Sequence, residues 1–173
     1  MNDDALRYPI GKFSPQEGYS QSDLDECIQR IASFPTRVAA LITNFSETQF
    51  NTVYREGGWT ARQVIHHLAD SHMNAYIRFK WTLTEETPTI KAYNEKLWAE
   101  TPETKSDPHL SLELLKVLHA KWAVLLRTLS PEQLKREYVH PETKKNNRLD
   151  RVVAMYAWHG DHHLGHLKIV AGK

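Results

Sequence analysis

Apolar residues recur along most of this chain every three or four positions, which is the spacing of one buried face of an amphipathic helix. The pattern predicts four long helices, at about residues 22–44, 60–83, 108–129 and 147–170. The apolar stripe of the first helix continues through Pro35, so we expect one kinked helix and not two separate ones. The second helix has the clearest start, because Thr60 and Gln63 have the spacing of a capping box.

Two stretches do not follow the helical pattern. Residues 1–19 contain two prolines and two glycines, which predicts an irregular N-terminal segment lying across the domain. Residues 86–108 hold further prolines and aromatic side chains, which predicts a long connection between helices 2 and 3 with one short helical turn. No segment alternates convincingly as a strand would, so the expected fold class is all-α, a four-helix bundle. We expect residues 1–173 to form a single domain.

The chain also repeats itself weakly. Residues 46–50 and 130–134 each begin with a Ser-x-x-Gln pattern, follow a long apolar helix and precede a tyrosine by four positions. Each copy leads through a polar loop into a helix that carries histidines. The repeat predicts two helical halves that each bring one histidine helix to the middle of the bundle, although Ser-x-x-Gln is also a common helix start.

Charge and composition narrow the classes of partner. The 173 residues include 22 basic and 21 acidic residues, a formal net charge of +1, so nothing predicts binding to nucleic acid or to an anionic membrane. No apolar run is long enough to cross a bilayer, and the N-terminus lacks a signal-peptide pattern. The single cysteine, Cys27, cannot form an intramolecular disulfide. We therefore expect a cytoplasmic protein whose substrate is a small molecule.

The histidines of the fourth helix are the first residues of the chain that indicate a specific chemistry. His159, His163 and His166 occupy consecutive positions of the apolar repeat, between Tyr156 and Val170. An unpaired buried polar group costs about 1–3 kcal/mol, so three imidazoles on a core face need a common partner. A transition-metal ion is a partner that imidazole binds well. The sequence therefore predicts a metal centre inside the bundle.

The second helix supplies the expected third ligand. At 100° per residue His67 lies at the edge of the apolar face, whereas His66 points away from it. His72 is interpreted as a residue that packs or forms a hydrogen bond with the backbone, and not as a ligand. We therefore expect His67 to complete the site from the facing helix.

Two pairs on the fourth helix have the spacing of neighbours, His159 with His163 and His162 with His166. We prefer His159 and His163, because both lie on the apolar repeat and point into the bundle. Three protein ligands would leave at least one position open for water or substrate, as in catalytic metal sites. His166, one turn farther along, is then expected to support the ligands or the fold.

Longer motifs of the chain resemble a known family. They are YREGGWT at 54–60, HHLADSHMN at 66–74, YIRFK at 76–80, LTEETP at 83–88 and WHGDHHLGH at 158–166. They are similar to the YfiT-type proteins of the DinB-like superfamily over nearly the whole chain. The resemblance implies a DinB-like bundle, a cytoplasmic homodimer, and one zinc or nickel ion held by His67, His159 and His163. The last motif departs from relatives at Asp161, so the resemblance assigns that residue no role.

The resemblance implies a metal-dependent hydrolase, with relatives that are thiol S-transferases using thiols such as bacillithiol. In a hydrolase the ion would lower the pKa of water toward about 7, and Asp70, Glu95 and Glu100 are the candidate proton carriers. In a transferase the same position would activate a thiol. Arg78 would then hold a carboxylate of the thiol cofactor, or else lie over apolar surface. A third alternative is a metal-binding module without chemistry, which a closed ligand set would favour.

Overall fold

The structure is a computed structural model that describes residues 3–173. In chain order its elements are α1 (Asp3–Arg7), α2 (Gln21–Ile42), α3 (Glu47–Phe50), α4 (Ala61–Thr84), α5 (Glu95–Trp98), α6 (His109–Arg127), α7 (Pro131–Leu134), β1 (Glu137–Val139), β2 (Asn146–Arg148) and α8 (Leu149–Val170). Helices α2 and α4 each pack against both α6 and α8. The order around the bundle is therefore α2, α6, α4, α8, which confirms the predicted four-helix bundle.

The long helices lie close to their predicted positions, and two boundaries need correction. The fourth helix begins at Leu149 and not at about residue 147, because residues 146–148 form β2 and pair antiparallel with β1. Strands of three residues are too short to show an alternating pattern. Residues 3–7 form α1 where an irregular segment is predicted, since Asp3 and Asp4 begin this turn and Arg7 ends it, the charges that favour a helix. Residues 1 and 2 of that segment lie outside the described residues.

The connection between α4 and α6 is held against the bundle. It contains α5 and a short 3-10 turn, Pro102–Lys105. The Ile90 amide donates a hydrogen bond to the Val139 carbonyl at 3.1 Å, and the Val139 amide donates to the Pro88 carbonyl at 2.9 Å. These bonds attach the connection to β1 and place the segment around α5 beside α4 and α8.

The two copies of the sequence repeat fold alike. Ser46 caps α3 with Gln49, and Ser130 caps α7 with Gln133, each in a complete capping box. Each short helix leads into an antiparallel pairing that immediately precedes a histidine helix, a single bridge before α4 and the β1–β2 ladder before α8. The repeat is therefore a repeat of local structure.

The apolar core is divided into two clusters by a layer of histidines. One cluster includes Trp122 and Phe79, and the other includes Phe34 and Leu115. His72 on α4 and His119 on α6 are 0% and 1% exposed and lie between residues of the two clusters along their helices. A polar layer at this depth needs internal partners.

Contacts between α2 and α8 determine where the histidines of α8 lie along the bundle axis. A Cβ at Gly160 would lie 3.0 Å from the Phe34 ring, so the glycine permits the close approach of the two helices. Asp161 accepts from Arg30 Nε at 2.8 Å and from Arg37 Nη1 at 2.6 Å. Asp161, which the resemblance leaves without a role, thus ties α8 to α2.

Within residues 3–173, none of the helices combines the length and apolar character needed to span a bilayer.

Candidate metal centre

The three histidines predicted as ligands come together on one side of the bundle. His67 lies on α4, and His159 and His163 lie one turn apart on α8. One nitrogen of each ring lies within 4.8 Å of a nitrogen of each of the other two. The ring centroids are 4.6 Å apart for His159 and His163, 4.9 Å for His67 and His163, and 5.5 Å for His67 and His159. These residues, the first histidine group, are close enough to share one ion.

The first histidine group forms part of the wall of a cavity of about 650 Å³, the metal cavity. The Trp59 ring, just before α4, lies 4.6 Å from the His67 ring between centroids. Tyr54, Glu95 and Glu100 line the same cavity. The motif residues before α4 and the connection around α5 therefore surround the histidines, and the space is that of a small-molecule site.

Burial keeps the first histidine group neutral. It lowers the pKa of His67 to about 4 and the pKa values of His159 and His163 well below 6.5, and the neighbouring histidines act in the same direction. A neutral imidazole carries one proton and one lone pair, which is the form that binds a metal ion. Three such nitrogens are a donor set that suits zinc or nickel.

A chain of hydrogen bonds runs from His159 into the core. His159 Nδ1 lies 3.1 Å from His72 Nε2, His72 Nδ1 lies 2.7 Å from His119 Nε2, and His119 Nδ1 lies 2.6 Å from the Ile31 carbonyl oxygen. We call this the inner chain. His72 is thus buried and hydrogen-bonded, but its partners are two side chains and not the backbone.

The inner chain determines which nitrogen of His159 is free. Burial lowers the pKa values of His72 and His119, so each ring carries a single proton. The Ile31 carbonyl can only accept, so His119 donates from Nδ1 and must accept at Nε2. His72 then donates from Nδ1 and His159 donates from Nδ1 in turn. The lone pair of His159 is therefore on Nε2, where a metal ion can use it.

Pro35 explains why a backbone carbonyl inside a helix is available to His119. In α2 the carbonyl of Ile31 would normally accept from the amide of residue 35, four positions later. Proline has no amide hydrogen. The sequence feature that predicts a kink in α2 thus also frees the acceptor that ends the inner chain.

A second chain, the outer chain, runs from His163. His163 Nδ1 lies 3.2 Å from His166 Nδ1, and His166 Nε2 lies 3.2 Å from the Arg7 carbonyl oxygen. Burial lowers the pKa of His166 to about 4, so this ring also carries one proton. It donates from Nε2 to the carbonyl and accepts at Nδ1, which leaves the His163 lone pair on Nε2. The Tyr54 ring stacks on His166 with centroids 3.8 Å apart.

His162, His163 and His166 form a second compact set of nitrogens, the second histidine group. It shares His163 with the first group and also fits within 4.8 Å. Both nitrogens of His166 are engaged in the outer chain. The second group therefore cannot offer three free lone pairs without breaking that chain.

The candidate proton carriers lie at different distances from the site. Glu95 and Glu100 line the metal cavity. Asp70 is absent from the walls of this cavity and the next one. Burial, with Glu103 nearby, raises the pKa of Asp70 to about 6. The structure thus brings Glu95 and Glu100, and not Asp70, to the cavity that the histidines line.

Arg78 lies in an adjoining cavity of about 520 Å³, the arginine cavity. His159, Trp158 and Glu95 line both cavities, so the two spaces meet beside the first histidine group. Arg78 is 7% exposed. The predicted carboxylate-binding residue therefore sits in a cavity that reaches one of the candidate ligands.

Sequence reasoning missed the position of two histidines. His66 is expected to point away from the core, but it is 6% exposed, because its Nδ1 bonds Ser111 Oγ at 2.7 Å on α6. His119 is absent from the expected site. Its signal is nevertheless present, since it has core spacing between Leu115 and Trp122.

The chain is similar to known proteins over most of its length. The sequence profile of the DinB superfamily matches residues 30–167. YfiT of Bacillus subtilis, named as a candidate metal-dependent hydrolase, is 48% identical over 163 residues, which are 94% of this chain and 92% of that protein. A protein of Bacillus cereus, named for the same candidate activity, is 46% identical over 167 residues, covering 96% of this chain and 95% of the relative.

Two solved structures share the fold. The structure of Bacillus subtilis YfiT, described as a candidate metal-dependent hydrolase with an unusual four-helix bundle topology, matches with a TM-score of 0.95 at 46% identity and covers 97% of both chains. The mycothiol-dependent maleylpyruvate isomerase matches with a TM-score of 0.62 at 17% identity, covering 80% of this chain and 60% of that one. The second likeness is one of fold alone.

Proposed function

This chain belongs to the DinB superfamily, and from that membership and the geometry of the histidines we propose that it is a metal-dependent hydrolase of a small molecule. His67, His159 and His163 hold one divalent ion, for which we propose zinc, with nickel as the alternative. The observation that carries the proposal is the convergence of three neutral imidazoles, from two helices, on the wall of one cavity.

The ligand set favours an enzyme over a closed metal-binding module. Among residues 3–173, no fourth His, Cys, Asp or Glu side chain joins the first histidine group. Three ligands leave a position for water or substrate. When bound, the ion supplies Lewis acidity, which lowers the pKa of water toward about 7 and polarises the bond under attack.

The chain's own residues orient the reaction. The inner and outer chains hold His159 and His163 with their Nε2 atoms free. Trp59 packs beside His67 on the wall of the metal cavity. We assign proton transfer to Glu95, a residue that lines both cavities; its carboxylate would accept a proton from the attacking water and return it to the leaving group.

A thiol S-transferase is the second candidate. The open position would accept a thiolate, and Arg78 in the adjoining cavity would hold a carboxylate of the thiol. The two functions place the same ion at the same residues and differ in the nucleophile.

One experiment separates the two functions. The metal-loaded protein is incubated with a panel of esters and amides without thiol, and in parallel with an electrophile and bacillithiol. Hydrolysis that needs no thiol, and that His159→Ala abolishes while His162→Ala retains it, supports the hydrolase. Thiol conjugate formed without ester hydrolysis favours the transferase, and activity that survives complete metal removal refutes both.

The homodimer and the cytoplasmic location stay predictions. Light scattering of the purified protein tests the first, and fractionation of the cells that make it tests the second.

A further inference from the structure

Two arginines on α4 are buried to the same degree but differ in their partners. Arg62 is 8% exposed and Arg78 is 7% exposed. The Arg62 guanidinium donates to the Ser106 carbonyl at 2.8 Å and to Glu47 Oε2 at 2.5 Å. Its charge is therefore balanced by a carboxylate, as is usual for a buried cation.

Arg78 has no such partner. Within residues 3–173, none of the side-chain ion pairs includes Arg78. Its Nε is buried without a hydrogen-bond partner. The Tyr138 hydroxyl forms a side-chain hydrogen bond with it, but a neutral phenol does not balance the charge. A buried cation without a counter-charge is unfavourable unless a ligand supplies one.

The surroundings of Arg78 suit an anion. Ser71, Tyr93 and Tyr156 also line the arginine cavity, and the side chains of both tyrosines form hydrogen bonds with the Ser71 side chain. Burial raises the pKa values of both tyrosines, so their hydroxyls stay protonated and can donate hydrogen bonds. The cavity thus offers one fixed positive charge and several neutral donors.

The rim of the arginine cavity limits the charge of the ligand. The charged or titratable side chains at the rim are exposed or half-buried. They are Glu95, Lys96, His140 and Glu142. Two carboxylates against one lysine leave an excess of negative charge at the rim, which favours a monoanion over a phosphate dianion. The planar fork of a guanidinium matches the two oxygens of a carboxylate.

We propose that Arg78 binds a carboxylate of the substrate, so that the enzyme acts on small molecules that carry one carboxylate at the end remote from the bond attacked beside His159. The site itself depends only on the burial and the missing partner of Arg78. Its assignment to the substrate rests on the proposed function and on the meeting of the two cavities at His159.

Binding of hexanoate to the metal-loaded protein, measured by calorimetry, tests the proposal without turnover. Hexanamide serves as the neutral analogue. We expect Arg78→Gln to raise the Kd of hexanoate about 10-fold to 100-fold, since a charge-assisted hydrogen-bonded pair is lost, and Arg78→Lys to recover part of it. Arg62→Gln, the matched buried arginine, should change the Kd less than about twofold, because its charge is already paired.

An unchanged hexanoate Kd in Arg78→Gln would overturn the proposal, because the carboxylate would then sit on the ion alone. If Arg78→Gln does not fold, wild-type protein still gives an answer. The Arg78 Nε–H signal, identified by its loss in Arg78→Lys, should shift on addition of hexanoate and not of hexanamide, and an unmoved signal contradicts the site. Hexanoate binding at Arg78 without hydrolysis of any ester would instead refute the proposed function and leave the anion site intact.

Discussion

Two groups of three histidines lie side by side on this protein, and distance alone does not separate them. The first group spans α4 and α8, whereas the second lies entirely on α8. Both fit within 4.8 Å, and both include His163. Spacing along a helix and proximity in space therefore identify two candidate metal sites where the chemistry supports one.

The hydrogen bonds separate the groups. In the first group, His159 and His163 each give their Nδ1 proton to a chain that ends on a backbone carbonyl, Ile31 or Arg7, and keep the Nε2 lone pair. In the second group, His166 has both nitrogens engaged. Each chain ends on a backbone carbonyl, which can only accept a hydrogen bond. Assigning the ring protons back from that carbonyl shows which histidine keeps a free lone pair for a metal ion and which only orients another histidine.

The largest expected effect comes from removing a ligand of the first group. His67→Ala, His159→Ala and His163→Ala should each lose the bound ion, because two remaining imidazoles do not complete a tight site. Metal content after dialysis, measured by mass spectrometry, checks this. His162→Ala is the control from the second group and should keep the ion. Full occupancy in His67→Ala or His159→Ala would remove the first group as the site.

The pH dependence of stability tests whether the histidines of the inner and outer chains are neutral, as the proton assignments require. Burial lowers the pKa of His119 and of His166 to about 4 from 6.5. Between these values the unfolded chain binds more protons, so the stability is present above pH 6.5 and is lost as the pH falls toward 4. A single histidine shifted this far contributes about 3 kcal/mol.

Urea unfolding of the metal-free protein at pH 7.5, 6 and 5 measures this loss. The free energy of unfolding should fall with pH, and less steeply in His119→Phe, which removes one titrating ring. A profile that is flat down to pH 5 would mean that these rings titrate in the folded protein as they do in the unfolded chain, and the assumption that each ring carries a single proton would not hold.

Support of the ligands should matter less than the ligands themselves. His119→Phe keeps an aromatic ring beside Phe34 but ends the inner chain at His72. We expect the affinity for zinc to fall about 10-fold to 100-fold, the range for residues that orient metal ligands. Competition with a chelator measures it. His109→Phe, an exposed histidine on the same helix, should leave the affinity unchanged.

Nitrogen NMR adds a readout that a purely structural role would not affect. In wild-type protein the proton of His159 should be found on Nδ1, and in His119→Phe the His72 and His159 rings should become mixtures of both protonated forms. An unmixed His159 signal in the variant would show that the inner chain does not determine which nitrogen of His159 carries the proton.

Pro35→Ala returns a competing amide to the Ile31 carbonyl and should cause a smaller change of the same kind in the His159 signal.

Much of the bundle and part of the site could be predicted from local patterns. The apolar period indicates the long helices, and histidines at apolar positions identify His67, His159 and His163. His119 also has the spacing of the buried face of α6, but the neighbouring Leu118 is the apolar residue that the pattern favours as the core position there. Pro35 shows in the sequence that one carbonyl lacks its amide, but which group takes that carbonyl depends on how α2 packs against α6.

Other features depend on contacts that no local pattern contains. Asp161 pairs with Arg30 and Arg37 only because α8 packs against α2. His66 is buried because Ser106, at the end of the long connection, and Ser111, in the first turn of α6, cover that side of α4. That Arg78 lacks an ion-pair partner likewise follows only from the positions of the carboxylates in the folded protein.

The smallest expected effect is at His162, the member of the second group that belongs to neither chain. Its ring stacks on Trp158 with centroids 4.7 Å apart, and its Nδ1 is buried without a hydrogen-bond partner. His162→Phe keeps the stacking and removes an unsatisfied polar atom, so we expect zinc affinity within about twofold of wild type and no loss of thermal stability. Chelator competition and a melting curve check both. A loss of affinity as large as that in His119→Phe would mean that the ion contacts the second group, because no hydrogen bond connects His162 to the ligands of the first.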